Sequence, residues 1–212
     1  MARIVKADAA GALQEAVAVL KGGGLVVYPS DTVYGLGAAA SDERAVERVF
    51  AVKGRDAVKA LSLLLANAAD LEPLCAEVPL LARVLAQRYW PGPLTLVLRR
   101  SPAFRSAALG GGDTIAVRVP GHPFLRALIR ALGEPITGTS ANRSGRPACR
   151  SAEEAEQELG DAVDLIIDGG PSRAGLESTV VDVTRGLPVV LREGAIPRAD
   201  VERLGRTGIA TV

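Results

Sequence analysis

Short apolar runs recur along this chain, and each stops before it could make a helix of ordinary length. They read LVVYP (25 to 29), LSLLLA (61 to 66), LTLVLRR (94 to 100), TIAVRVP (114 to 120), VDLIID (163 to 168), STVVDV (178 to 183) and LPVVL (187 to 191). Runs this short, rich in Val, Leu and Ile and bounded by Gly, Pro, Asp or Ser, are buried strands. Amphipathic helical segments lie between many of them. AAGALQEAVAVLK follows Asp8, a candidate N-cap, and stops at Gly22, Gly23 and Gly24. A second helix starts near Ser41 and carries Val46, Val49 and Phe50 at i, i+3 and i+4. Pro79 suits the first turn of a third, PFLRALIRAL reads as a fourth, and Ser151 with Glu154 forms a capping box for AEEAEQEL. EPITGTS leads into one more short strand. Interleaved strands and helices require an α/β layer architecture. The last three strands have no helix between them, so the expected sheet is open, twisted and mixed, with flanking helices.

The bulk numbers narrow the class. With 212 residues, 48% hydrophobic and 23% charged, the chain can bury one sizeable core, and a single domain spanning 1–212 is expected. The formal net charge of +1 does not mark an electrostatic nucleic-acid binder, although a local basic groove stays open. Two separated cysteines, Cys75 and Cys149, exclude a disulfide framework or zinc ribbon. No leader pattern and no window of 18 apolar residues is present, so a cytoplasmic protein is expected.

Much standard chemistry is also ruled out. The one histidine, His122, lies between prolines in PGHPF, and GTSAN (138 to 142) lacks the second glycine of a nucleophile elbow. There is no phosphate-binding GxxxxGK[ST] loop, and GLGAAA (35 to 40) falls short of a dinucleotide fingerprint and is read as loop. No catalytic nucleophile and no metal-ligand cluster are expected. Any reaction here must rest on placement, hydrogen bonds and fixed cations.

Cations are concentrated in VKGRDAVKA, where Lys53, Arg55 and Lys59 fall within seven positions. Lys53 continues the apolar stripe of its helix and so points toward the core. A cation in a last helical turn followed by Gly54 is an ordinary helix end. That does not account for Arg55 and Lys59. Three convergent cations repel unless an anion joins them, and a polyphosphate fits arginine and lysine best. Arg118 interrupts TIAVRVP, and alternation groups it with Ala116 and Thr114; the pattern alone places that face toward solvent. Arg192 stands at a strand end. Three polar loops also meet strand ends: PSDTVYG, with Ser30 and Thr32; TGTSANRSG, with Thr139, Ser140 and Asn142; and LESTVV, with Ser178. Each alone could be a turn or cap. Together with an inward cation cluster they point to a binding cleft.

In order along the chain, KGGGLVVYPSDTVYGLGAAA, VKGRDAVKALSLLL, WPGPLTLVL, TIAVRVPGHP, TSANRSGRP, DGGPSRAGLESTVVDV and LREGAI resemble the YrdC-type domain of threonylcarbamoyl-adenylate synthases, with similarity strongest over residues 8–196. The resemblance implies an open α/β sheet around a large cationic cavity. It implies a nucleotidyltransferase that makes L-threonylcarbamoyl-adenylate from L-threonine, bicarbonate and ATP with Mg²⁺, releasing pyrophosphate. That is the first step of the threonylcarbamoyl-adenosine modification of tRNA, which a downstream transfer complex completes. It assigns Lys53, Arg55, Lys59, Thr139, Ser140, Asn142 and Arg192 to ATP, and Ser30, Thr32, Thr114, Arg118 and Ser178 to the threonine side. Ala60 stands where the family usually has proline and Ala148 where it has serine, and the chain resembles the short form without a further C-terminal domain. Two other readings stay open. One is a non-catalytic module that binds double-stranded RNA or ribosomes, with weak RNA contact through a basic groove. The other is a carbamoyl-adenylate-handling domain like that of hydrogenase-maturation carbamoyltransferases.

Overall fold

The computed structural model describes residues 2–172 and 174–207, with no account of the side chains of 206 and 207. Arg173, inside the DGGPSRAGLEST segment, and the final five residues of the 1–212 domain lie outside the described residues. The elements in order are β1 (Arg3–Lys6), α1 (Ala12–Lys21), β2 (Val26–Tyr28), β3 (Gly35–Gly37), α2 (Glu43–Lys53), β4 (Ser62–Leu64), α3 (Leu80–Tyr89), β5 (Leu94–Arg99), β6 (Thr114–Arg118), α4 (Pro123–Leu132), β7 (Ile136–Ser140), α5 (Ala152–Leu159), β8 (Leu165–Asp168), β9 (Thr179–Asp182), β10 (Val189–Arg192) and α6 (Arg198–Thr207). The strands form one sheet in the order β1-β8-β2-β3-β7-β4-β6-β5-β9-β10. Parallel pairs (β1/β8, β8/β2, β4/β6, β5/β9) are combined with antiparallel ones, so the sheet is open and mixed.

Side-chain alternation builds a core on each face. On β2, Val26 and Tyr28 pack with Leu20 of α1 and Leu125, Leu128 and Ile129 of α4. Val27 points the other way, toward Val46, Val49 and Phe50 of α2 and Leu85 of α3. Burial on both sides explains why the strand reads as an unbroken apolar run. Further along the sheet, Leu63, Val117, Leu96 and Val181 join the second cluster. Their alternate neighbours Ser62, Leu64, Thr95, Ala116, Arg118 and Val180 line a cavity instead.

Helix ends follow local chemistry, with two departures from the sequence reading. Asp8 does not cap α1. The Ala7 amide still pairs with the Asp168 carbonyl, which carries Asp8 past the end of β1, and α1 starts only after Gly11 in a left-handed conformation. α2 starts at Glu43, close to Ser41 as expected, and Asp42 caps it, its Oδ1 accepting from the Ala45 amide at 3.0 Å. The capping box of α5 is half made. Ser151 accepts from the Glu154 amide, but the Glu154 carboxylate takes the Arg150 amide rather than that of Ser151.

The GLGAAA segment, read as loop, contains β3. Its glycines are required because Tyr28 lies across the strand: a Cβ at Gly35 would stand 2.2 Å from the tyrosine ring. Among the described residues no helix is long and apolar enough to cross a membrane.

Candidate active site

A cavity of about 460 Å³ opens on the sheet face beyond α4. Its floor is set by strand register. Leu64 of β4 stands opposite Arg118 of β6, Ser62 opposite Gly138 of β7, and Thr95 of β5 opposite Val180 of β9. A Cβ at Gly138 would lie 2.8 Å from Ser62 Oγ, so this part of the floor stays low only with glycine.

The three cations near residue 55 have three different fates. Lys53, the last residue of α2, is 3% exposed. Its Nζ donates to the Ser140 carbonyl (2.6 Å), the Asn142 carbonyl (2.7 Å) and Asn142 Oδ1 (3.1 Å). An ammonium has three hydrogens, and these acceptors use all of them. Burial, helped by the nearby charge of Arg55, brings its pKa down from 10.5 to about 8. The Lys53 carbonyl takes the Ser144 amide, and Asn142 Nδ2 donates to the carbonyls of Arg143 and Arg146. Lys53 and Asn142 therefore hold together the loop whose Ser140 and Ser144 line the cavity.

Arg55 lies beyond Gly54, whose φ of 59° turns the chain out of the helix. Its Nε donates to the Lys59 carbonyl and its Nη2 to the Ala60 carbonyl. Two of five N–H donors are used, and three remain for a ligand. Burial, and next the charge of Arg192, lower its pKa, so the two guanidiniums share one field. Lys59 does not join them. Its amide bonds the Asp56 carbonyl, while Asp56 Oδ1 takes the Val58 amide. That turn leaves the Lys59 side chain exposed and outside the cavity wall.

Across the cavity, Arg192 donates through Nε and Nη2 to the Ser178 carbonyl (3.2 and 3.0 Å), through Nη2 to Ser178 Oγ (3.2 Å), and through Nη1 to Glu177 Oε2 (2.8 Å). Ser178 Oγ lies 2.9 Å from Thr95 Oγ1. Deeper, Arg118 donates to the Gly92 carbonyl of the WPGP turn (2.9 Å), to Thr32 Oγ1 (3.1 Å) and to Asp31 Oδ1 (2.7 Å). Ser30 Oγ lies 2.9 Å from Thr32 Oγ1 and donates to the Val33 carbonyl. The alternation of β6 placed Arg118 toward solvent; instead it is 7% exposed. The outward face is a cavity wall, and its counter-ion comes from 87 residues away. Thr114 shares that strand face but sits at the far end of β6, opposite Arg99, and does not line the cavity. Thr139 lines it from β7, opposite Leu36.

Sequence reasoning missed three participants. Asp31 was legible only as a turn residue. Thr95 had a signal, being the polar position inside the apolar run LTLVL. Glu177, the single carboxylate of the wall among the described residues, sits beside Ser178 in LEST, where only the hydroxyl pattern gave a signal.

A mixed α/β sheet with one face open onto a chamber of arginines and hydroxyls has the chemistry to bind phosphorylated or carboxylated small molecules. The chain belongs to the Sua5/YciO/YrdC family: the model Sua5_yciO_yrdC, described as telomere recombination, matches residues 18–194. It is 45% identical over 189 residues to a threonylcarbamoyl-AMP synthase of Pyrococcus abyssi, covering 89% of this chain and 56% of that protein. The chain thus spans little more than half the length of that relative. Its structure resembles that of P. abyssi Sua5 complexed with L-threonine, with TM-score 0.90 and 42% identity over 96% of this chain and 60% of that one. It also resembles Escherichia coli YciO, with TM-score 0.81 and 32% identity over 92% and 96% of the two chains.

Proposed function

We propose that this cavity joins L-threonine, bicarbonate and ATP into L-threonylcarbamoyl-adenylate, releasing pyrophosphate and supplying the first intermediate of threonylcarbamoyl-adenosine in tRNA. The observation that carries the reading is the sharing of one space by two unlike binding ends. Arg55 and Arg192 face each other at one end, and Arg118 with Thr32 and Ser30 forms the other. The name of the P. abyssi relative and the threonine bound to a Sua5 structure support the same assignment. A volume of about 460 Å³ falls within the range of small-molecule sites.

In this reading the threonine amine adds to the bicarbonate carbon, and water leaves. The resulting N-carboxylate oxygen attacks the α-phosphorus of ATP, and the bond to the β-phosphate oxygen breaks. The nucleophile belongs to the substrate, so the protein needs no activated serine or cysteine of its own. Arg55 holds phosphate oxygens with its three available N–H groups, and Arg192 approaches from the opposite wall. Lys53 acts beneath them, keeping the Ser140–Asn142 loop in place. Arg118 retains an N–H on each terminal nitrogen for the threonine carboxylate.

Among the described residues no three metal-ligating side chains cluster, so Mg²⁺ would arrive on the phosphates, where the wall's hydroxyls and one carboxylate suit a hard cation. When bound with the nucleotide, Mg²⁺ supplies charge neutralisation on the departing pyrophosphate. A downstream transfer complex would take the product. The test is pyrophosphate release with ATP and Mg²⁺, leaving out threonine or bicarbonate in turn. Release is expected only with both, and release that persists at full rate without threonine overturns the assignment.

A further inference from the structure

Among the described residues, the charged side chains of the cavity wall are four cations, Lys53, Arg55, Arg118 and Arg192, and one acid, Glu177. A carboxylate next to a polyphosphate grip opposes the binding it sits beside, unless positive charge enters with the phosphate. Its surroundings show how that conflict is resolved. Arg192 uses four of its five N–H donors on protein, and the fifth shares Nη1 with the hydrogen given to Glu177 Oε2. A two-pronged hold on phosphate through Nη1 therefore requires Arg192 to release Glu177. The pair is made for exchange, since both side chains are more than two-fifths exposed, at 44% and 41%.

The backbone beneath it is fixed. The Glu177 carbonyl takes the Ala195 amide, and Thr179 Oγ1 accepts the amides of Gly194 and Ile196 and donates to the Ile196 carbonyl. A Cβ at Gly194 would stand 2.2 Å from the Glu177 carbonyl oxygen, so the two segments approach as closely as glycine permits. The side chain can change partners while its base stays still.

We propose that Glu177 makes the cavity select the metal-bound triphosphate over the bare one. Arg192 passes from the carboxylate to a phosphate oxygen, and the freed carboxylate faces the divalent cation carried on the phosphates. One or two carboxylates plus substrate phosphates is the usual setting for Mg²⁺. The inference rests on the nucleotide reading given above.

The test is calorimetric titration of the full chain with α,β-methylene-ATP, in Mg²⁺ and in EDTA, for the wild type and Glu177→Gln. In EDTA the variant is expected to bind about two- to five-fold tighter than wild type, the scale of an exposed ion pair. The gain in affinity on adding Mg²⁺ should shrink by a similar factor. If Glu177→Gln weakens binding equally in both buffers, Glu177 merely braces Arg192 and the proposal fails. Identical affinities for both proteins in both buffers overturn it as well. A wild type that binds no nucleotide under either condition sinks the nucleotide reading itself, a result separable from the other two.

Discussion

At one end of the cavity, the charge of Arg118 is matched by Asp31 at 2.7 Å, and the residue is 7% exposed. At the other end, Arg55 leans on two backbone carbonyls and has no carboxylate in contact among the described residues. The first end has its opposite charges paired before any ligand arrives. In the proposed reading it receives a small zwitterion, which brings no net charge. The second carries uncompensated charge in a partly buried setting, which an arriving anion relieves. Cations of the same kind, lining the same space, thus have different duties. One is also a part of the fold, and the other is chiefly a part of the site.

This contrast should break most visibly at Arg118. Arg118→Ala removes the buried cation and leaves Asp31, 21% exposed, with the Gly121 amide but no counter-ion, and a loss of about 3 kcal/mol in urea-denaturation stability is expected. A variant as stable as wild type would erase the distinction. Arg55→Ala should do the reverse. Nucleotide affinity should fall by about 10- to 100-fold, the range for hydrogen bonds to charged groups, while the thermal midpoint barely moves. Lys59→Ala is its control. The side chain is exposed, so affinity should change by less than about two-fold, and that small change should vanish at high salt. A large effect at Lys59 would restore it to the phosphate grip.

Lys53 sharpens the comparison through pH. Its folded-state pKa of about 8 lies below its ordinary 10.5, so between those values the unfolded chain holds the extra proton. Wild-type stability should therefore rise with pH across that window, relative to Lys53→Met, by at most about 1.4 kcal/mol per unit. Below pH 8 the difference between the two proteins should be flat. Urea denaturation of both at pH 7, 8, 9 and 10 checks this, and parallel curves throughout would contradict a buried, loop-holding ammonium.

Much of this architecture was legible in the chain because its signals are local. The run LVVYP is buried on both faces, PFLRALIRAL opens α4 with its proline and is closed by Gly133, and the C-terminal runs STVVDV and LPVVL without an intervening helix called for a mixed sheet. The signals failed where a distant group decided the outcome. β3 is written as GLG, a poor strand sequence, and exists as it does because the ring of Tyr28 needs the space. Asp8 had the chemistry of a cap but was carried out of position because the Ala7 amide before it pairs with the Asp168 carbonyl. Of the polar loops, all three reach the cavity as their positions at strand ends implied. Thr114 does not, because alternation reports a face and not a distance along the strand.

What the amino-acid order determined by itself was the layered α/β class, most element positions, and the identity of the cations and hydroxyls available for a site. Only the tertiary structure decided which of those cations can act on a ligand. Lys53 has its hydrogens taken by a loop almost ninety residues away in the chain, Arg118 has its charge met by Asp31, and Arg55 keeps three donors free. A donor's availability depends on where each of its hydrogens already points, and that is fixed by contacts no local pattern contains.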